Sequence, residues 1–154
     1  MQKFPFDQID DLYRDVIIRH HRASRSQPEV GDPDVEYDEY NPICGDRVVL
    51  QLRVVEGRIV EAGFKGEGCS ITQASASMMT DALEGLTLEE AEDLADRFRL
   101  SLTGDGPPGS PTSGLGDLEA LQAVRAFPVR IKCALLGWSA LEQGIEEYRA
   151  RPAA

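Results

Sequence analysis

Apolar residues recur along the chain with two periods, and each change of period marks an element. From Pro5 to His21, Ile9, Leu12, Tyr13, Val16, Ile17 and His20 fall three or four residues apart, which predicts an amphipathic helix. Asp7 is placed to cap it, and Asp10 and Asp11 suit the positive end of its dipole. From Arg47 to Val55 the period drops to two. Val48, Leu50, Leu52 and Val54 share one face, and Arg47, Val49, Gln51 and Arg53 the other, as in a half-buried strand. Glu56-Gly57 reads as a two-residue hairpin turn, and Arg58 to Lys65 as the returning strand, with Ile59, Val60, Ala62 and Phe64 apolar.

Helical spacing resumes from Ser70 to Leu83. Ser70 is a candidate N-cap, Gly85 a stop, and the small residues Ala74, Ser75, Ala76 and Ser77 suit close packing better than catalysis by a serine. Thr87-Leu88-Glu89-Glu90 is a capping-box pattern that opens a second helix, to Leu100. Asp117 is placed to cap a short helix to about Ala126. Pro128 then opens a long one, Val129 to Arg149, with Ile131, Ala134, Leu135, Trp138, Leu141 and Ile145 on its apolar side. Two stretches lack a period. Residues 23–40 are polar, with Pro28, Gly31 and Pro33, and read as an extended linker and candidate mobile segment. Residues 103–116 form a Gly/Pro-rich loop with no lysine and no phosphate-binding pattern. The whole, residues 1–154, reads as one α+β domain: a small antiparallel sheet packed against several helices.

Composition narrows the function. A chain of 154 residues with 42% hydrophobic content can build a real core, since one near this size buries roughly 70% of its unfolded surface. The net charge of −11 and the lack of a basic stripe argue against nucleic acid. The basic run from His20 to Arg25 suits the end of the first helix, with docking of an acidic partner as the sharper alternative. No apolar run approaches the roughly 20 residues of a membrane span, and no secretory signal opens the sequence, so a cytoplasmic protein is expected. The acidic cluster Asp32, Asp34, Glu36, Asp38 and Glu39 lacks the pattern of a calcium loop and reads as solvated surface.

The chemistry lies in three cysteines and one aspartate. Cys44 and Asp46 stand at the mouth of the first strand, in Asn41-Pro42-Ile43-Cys44-Gly45-Asp46. Cys69 follows the second strand, in Gly66-Glu67-Gly68-Cys69-Ser70. An antiparallel hairpin makes those two ends neighbours. Cys133 lies at the start of the last helix, after Arg130 and Lys132. In a reducing compartment an odd set of thiols is buried and inert, reactive, or metal-ligating. Three thiolates and a carboxylate suit tetrahedral zinc, and a thiol-rich set also suits iron–sulfur chemistry. Helix starts near Cys69 and Cys133, and the charges of Arg130 and Lys132, are expected to favour the thiolates.

Taken together, Asn41-Pro42-x-Cys44-Gly45-Asp46, Gly66-x-Gly68-Cys69-x-Ile71-x-x-Ala74-Ser75-x-Ser77-Met78 and Arg130-x-Lys132-Cys133-Ala134-x-Leu136-x-Trp138 resemble the IscU/NifU-N family of iron–sulfur assembly proteins. The likeness runs from the N-terminal helix past Trp138. Two departures resemble the SufU branch. Lys132 stands where the scaffold branch usually has a histidine, for which neither His20 nor His21 can substitute, and the stretch before Cys133 is expanded. The resemblance implies zinc held by Cys44, Asp46, Cys69 and Cys133. It also implies persulfide sulfur accepted on Cys44 from a SufS-type, PLP-dependent cysteine desulfurase whose turnover it stimulates, and passed toward downstream assembly proteins. Arg130 would orient Asp46 or form a surface ion pair. Two alternatives stand beside this: a scaffold holding iron or an iron–sulfur cluster, and a structural zinc domain without sulfur chemistry.

Overall fold

The structure is a computed structural model that describes residues 15–19, 30–43, 45–104 and 115–151, the side chains at 117 and 123 apart. The expected first helix is helical over residues 15–19, and its remainder lies outside the described residues, as do residues 23–29 and 105–114.

The hairpin forms as its pattern requires. Strands β2 (Asp46–Val55) and β3 (Arg58–Glu67) pair antiparallel, with Leu50 opposite Phe64 and Val55 opposite Arg58. Glu56 and Gly57 both take positive φ, 51° and 77°, the geometry of a type I′ turn whose twist matches that of the strands. The period of β3 is broken, because Ile59 cannot share a face with Ala62 and Phe64 in an unbroken strand. The register resolves this by skipping Val60: Val54 pairs with Ile59, and Arg53 with Glu61. Val60 is the extra residue of a bulge and, although apolar, points to solvent.

A third strand lies within the stretch read as a linker. β1 (Val35–Asn41) pairs with β2 from Val35 opposite Leu52 to Asn41 opposite Asp46, giving the sheet order β1-β2-β3. Several carboxylates of the acidic cluster act as partners here. Glu36 accepts from Gln51 Nε2 (2.7 Å), Asp38 pairs with Arg47, and Asp34 accepts from the Val54 amide (2.8 Å). Arg47 holds the Asp38 carboxyl below its ordinary pKa.

Three α-helices follow: α1 (Ser70–Leu83), α2 (Leu88–Thr103) and α3 (Pro128–Ala150), with a 3-10 helix (Gly116–Ala126) before the last. The N-cap of α1 is Cys69 rather than Ser70. The capping box of α2 forms with both reciprocal bonds, and Pro128 occupies the first turn of α3. α1 and α3 lie against each other and cover the sheet, α1 over β3 and α3 over β1 and β2. Their interface, with Leu50, Leu52, Ile71, Met79, Trp138 and Leu141, is the core, and the Phe98 ring of α2 lies 4.9 Å from that of Trp138. α1 is buried on most sides, which is why it carries alanines and serines where larger residues would hold the helix off. Among the described residues no helix is long and apolar enough to cross a membrane.

Candidate metal centre

Two glycines bring the second cysteine to the aspartate. At Gly66 (φ 156°) the end of β3 crosses β2 so closely that a Cβ would lie 2.0 Å from the Arg47 carbonyl oxygen. At Gly68 a Cβ would lie 3.0 Å from both Asp46 Cγ and Thr72 Cβ. Without side chains at these positions the chain passes directly over the start of β2 and turns into α1 at Cys69. The third cysteine arrives from the other covering helix. Contrary to the expectation from sequence, Cys133 is the sixth residue of α3 rather than part of its first turn. The free amides of the helix start therefore do not serve it, and it points into the buried face beside Ala134.

A carboxylate oxygen of Asp46 and the Sγ atoms of Cys69 and Cys133 all lie within 4.8 Å of one another. Asp46 and Cys133 are buried and Cys69 is partly so. Cys44, the fourth expected ligand and expected sulfur acceptor, lies outside the described residues; its neighbour Gly45 donates its amide to the Asn41 carbonyl (2.8 Å). Arg130 is in the first turn of α3 and partly buried. Lys132 is exposed and lines a cleft of about 290 Å³ with Tyr40, Asn41, Pro42 and Leu136. Neither cation belongs to the cluster of possible ligands.

The sequence reading missed Thr72. It is buried on α1, one turn beyond Cys69, and its hydroxyl donates to Asp46 Oδ2 at 2.5 Å and stands 3.5 Å from Cys69 Sγ. The helical spacing from Cys69 to Thr72 was available in the sequence, but nothing there pointed the hydroxyl at Asp46. The Cys69 thiol is lowered to about 6, first by its hydrogen bond with Cys133, with smaller help from the Thr72 hydroxyl and amide. Burial and the charge of Asp46 push the other way. The low value has its source in a neighbouring thiol and helix start, not in Arg130 or Lys132.

This donor set fits a thiophilic metal. Two sulfurs and a carboxylate converge at a largely buried point, one thiol is already inclined to ionise, and soft ligands of this kind select zinc or iron–sulfur species over hard cations.

The chain belongs to the family of NifU-like N terminal domains, whose pattern it matches over residues 12–134. It is 46% identical over 138 residues to the "zinc-dependent sulfurtransferase SufU" of Bacillus subtilis, covering 89% of this chain and 91% of that one. It is 38% identical over 140 residues to the "iron-sulfur cluster assembly scaffold protein IscU" of Streptococcus pyogenes, covering 90% and 86%. Its fold superposes, with a TM-score of 0.80 and 25% identity, on a crystal structure titled a putative iron–sulfur cluster assembly scaffold protein for the SUF system from Fervidobacterium islandicum; 92% of this chain and 99% of that one are covered. The N-terminal part of a NifU-like protein from Brucella abortus, 23% identical, shares the fold with a TM-score of 0.81 over 94% of this chain and 99% of its own.

Proposed function

We propose that this chain is a zinc-binding sulfur carrier of iron–sulfur cluster assembly, of the SufU branch. It takes persulfide sulfur onto Cys44 from a SufS-type, PLP-dependent cysteine desulfurase, stimulates that enzyme, and passes the sulfur to downstream assembly proteins in the cytoplasm. The observation that carries this reading is the meeting of Asp46 with Cys69 and Cys133 from three separate elements. Cys44, Asp46, Cys69 and Cys133 would hold the zinc, which when bound keeps thiols in their thiolate form and shields them. Similarity to a protein named a zinc-dependent sulfurtransferase supports the choice of metal and chemistry. Lys132, in place of the histidine usual in scaffolds, supports transfer over cluster building.

Sulfur transfer itself is a thiol exchange. The Cys44 thiolate attacks the terminal sulfur of the donor's persulfide, the donor's S–S bond breaks, and the donor cysteine leaves as a thiolate. The persulfide proton stays on the transferred sulfur, so no external oxidant or reductant is needed. Asp46 is the ligand suited to exchange, because a carboxylate among thiolates binds a soft metal less firmly than sulfur does. Arg130 and Lys132 add positive charge on the helix that carries Cys133.

Elemental analysis of the purified protein, together with desulfurase turnover with and without Cys44→Ala, tests this. The expected result is about one zinc per chain for a single four-ligand site, and stimulation that Cys44→Ala abolishes. Unchanged stimulation by the variant would leave only a structural zinc domain. A reconstituted cluster that moves intact to an apo-target would make the chain a scaffold.

A further inference from the structure

We infer that Thr72 is a positioning residue of the metal centre: its hydroxyl holds Asp46 by one oxygen and so sets how firmly the centre keeps its metal. This rests on the zinc reading above.

A threonine hydroxyl has one proton to donate, and an ionised carboxylate has none. The 2.5 Å contact with Asp46 Oδ2 is within the range of an O–H···O⁻ bond, whereas the 3.5 Å contact with Cys69 Sγ is a weak sulfur contact. The hydroxyl proton therefore goes to the carboxylate and takes up one lone pair of Oδ2. The bond fixes the rotation of the carboxylate, and with it the direction in which its remaining lone pairs face Cys69 and Cys133. The bond spans 26 residues of sequence and ties the first residue of β2 to the first turn of α1. Asp46 is thus aimed by the same helix turn that presents Cys69.

The surroundings reinforce the aim. Thr72 is β-branched and on a helix, so its rotamers are few, and it is fully buried. Gly68 leaves room for Asp46 and Thr72 to close on each other; a methyl there would press on Asp46 Cγ and on Thr72 Cβ and Cγ2, each at 3.0 Å. Removing a group that orients a metal ligand typically weakens metal binding 10- to 100-fold.

The test is the rate of zinc loss to a chromogenic chelator, with thermal melting of the metal-free forms alongside. Thr72→Val keeps the shape and removes the proton, and should speed zinc loss 10- to 100-fold. Thr72→Ser restores the proton and should return the rate to within a few-fold of wild type. Gly68→Ala, which leaves the hydroxyl in place but wedges the pair apart, should shift the rate in the same direction as Thr72→Val. Cobalt substitution gives a second readout, because reorienting Asp46 moves the visible ligand-field bands. Thr72→Val releasing zinc at the wild-type rate, or Thr72→Ser behaving like Thr72→Val, would overturn the inference. So would a melting change with no change in zinc release or cobalt spectrum, which is the mark of a purely structural bond. Should Thr72→Val not fold, Thr72→Ala against Thr72→Ser makes the same comparison. A wild-type chain that holds no zinc would overturn this inference and the zinc reading together. A wild-type chain that holds zinc, with indifferent Thr72 variants, overturns only this one.

Discussion

Ser75→Ala is the substitution that most directly probes how the two covering helices are held at the centre. Ser75 Oγ donates to the Ala134 carbonyl at 2.5 Å and accepts from Trp138 Nε1 at 3.1 Å. All the atoms involved are buried, and Ala134 directly follows Cys133. Alanine leaves almost no cavity, so the loss is polar. The indole N–H is left without an acceptor, which costs about 1–3 kcal/mol, and the bond to Ala134 is worth about 1 kcal/mol more. Together they predict destabilisation of roughly 2–4 kcal/mol. For a chain of this size each kcal/mol lowers Tm by about 2–4 °C, so thermal melting should drop by roughly 4–16 °C. Zinc release should quicken too, since α1 carries Cys69 and α3 carries Cys133. The control is Trp138→Phe, which removes the indole donor, and the double variant. The two changes share one bond, so the double variant should be less destabilised than the sum, by about 0.5–3 kcal/mol. A Ser75→Ala protein within about 0.5 kcal/mol of wild type, or strictly additive effects, would refute the assignment of that bond.

Three further outcomes follow from the geometry. Asp46→Ala should lose zinc faster than wild type, with far-UV circular dichroism unchanged; complete unfolding at ordinary temperature would show that Asp46 is a structural pillar rather than an exchangeable ligand. Gly66→Ala must move the Arg47 carbonyl and should cost about 1–3 kcal/mol, with weaker zinc retention because the displaced segment leads to Cys69; a neutral effect on both would show that the crossing is looser than 2.0 Å implies. Thr87→Ala should cost about 1 kcal/mol through loss of the N-cap. The Thr87 amide and hydroxyl hold the Glu90 carboxyl below its ordinary 4.5, so the stability it adds is present above that pH and fades as the pH falls through the folded value. The amide survives in Thr87→Ala and only the hydroxyl's share is lost, so the gap between wild type and Thr87→Ala should narrow in acid by that share, and a gap that widens would contradict the capping box.

The hairpin and α2 were legible in the sequence because burial there is largely one-sided and leaves a period, and α1 and α3 because small residues, Gly85 and Pro128 mark them. β1 was not. Its inward positions are Val35 and Tyr37, followed by Glu39 and Asn41, so the apolar alternation stops after two residues. The strand is specified instead by what β2 offers across the ladder: Gln51 for Glu36, and Arg47 for Asp38. Such pairing is invisible until the register is known. The cluster of Asp46, Cys69 and Cys133 was legible from type and motif. The place of Cys133 was misjudged although Pro128 already marked the helix start: counted from there Cys133 is the sixth residue, beyond the first turn. Thr72 stayed hidden because its partner lies 26 residues away, and only the closeness allowed by Gly68 joins them.

The wide spacing of the three converging side chains also has a consequence for biosynthesis. Asp46 and Cys69 flank a local hairpin, but Cys133 follows 64 residues later on the last helix. At roughly 5–20 residues per second, a ribosome needs about 3–13 s to travel from the second cysteine to the third. Throughout that interval Cys69 lacks the hydrogen bond with Cys133 that chiefly lowers its pKa. The cluster of Asp46, Cys69 and Cys133 is thus complete only once the final helix docks. A truncated or stalled chain would expose a thiol deprived of the neighbour it is built to meet.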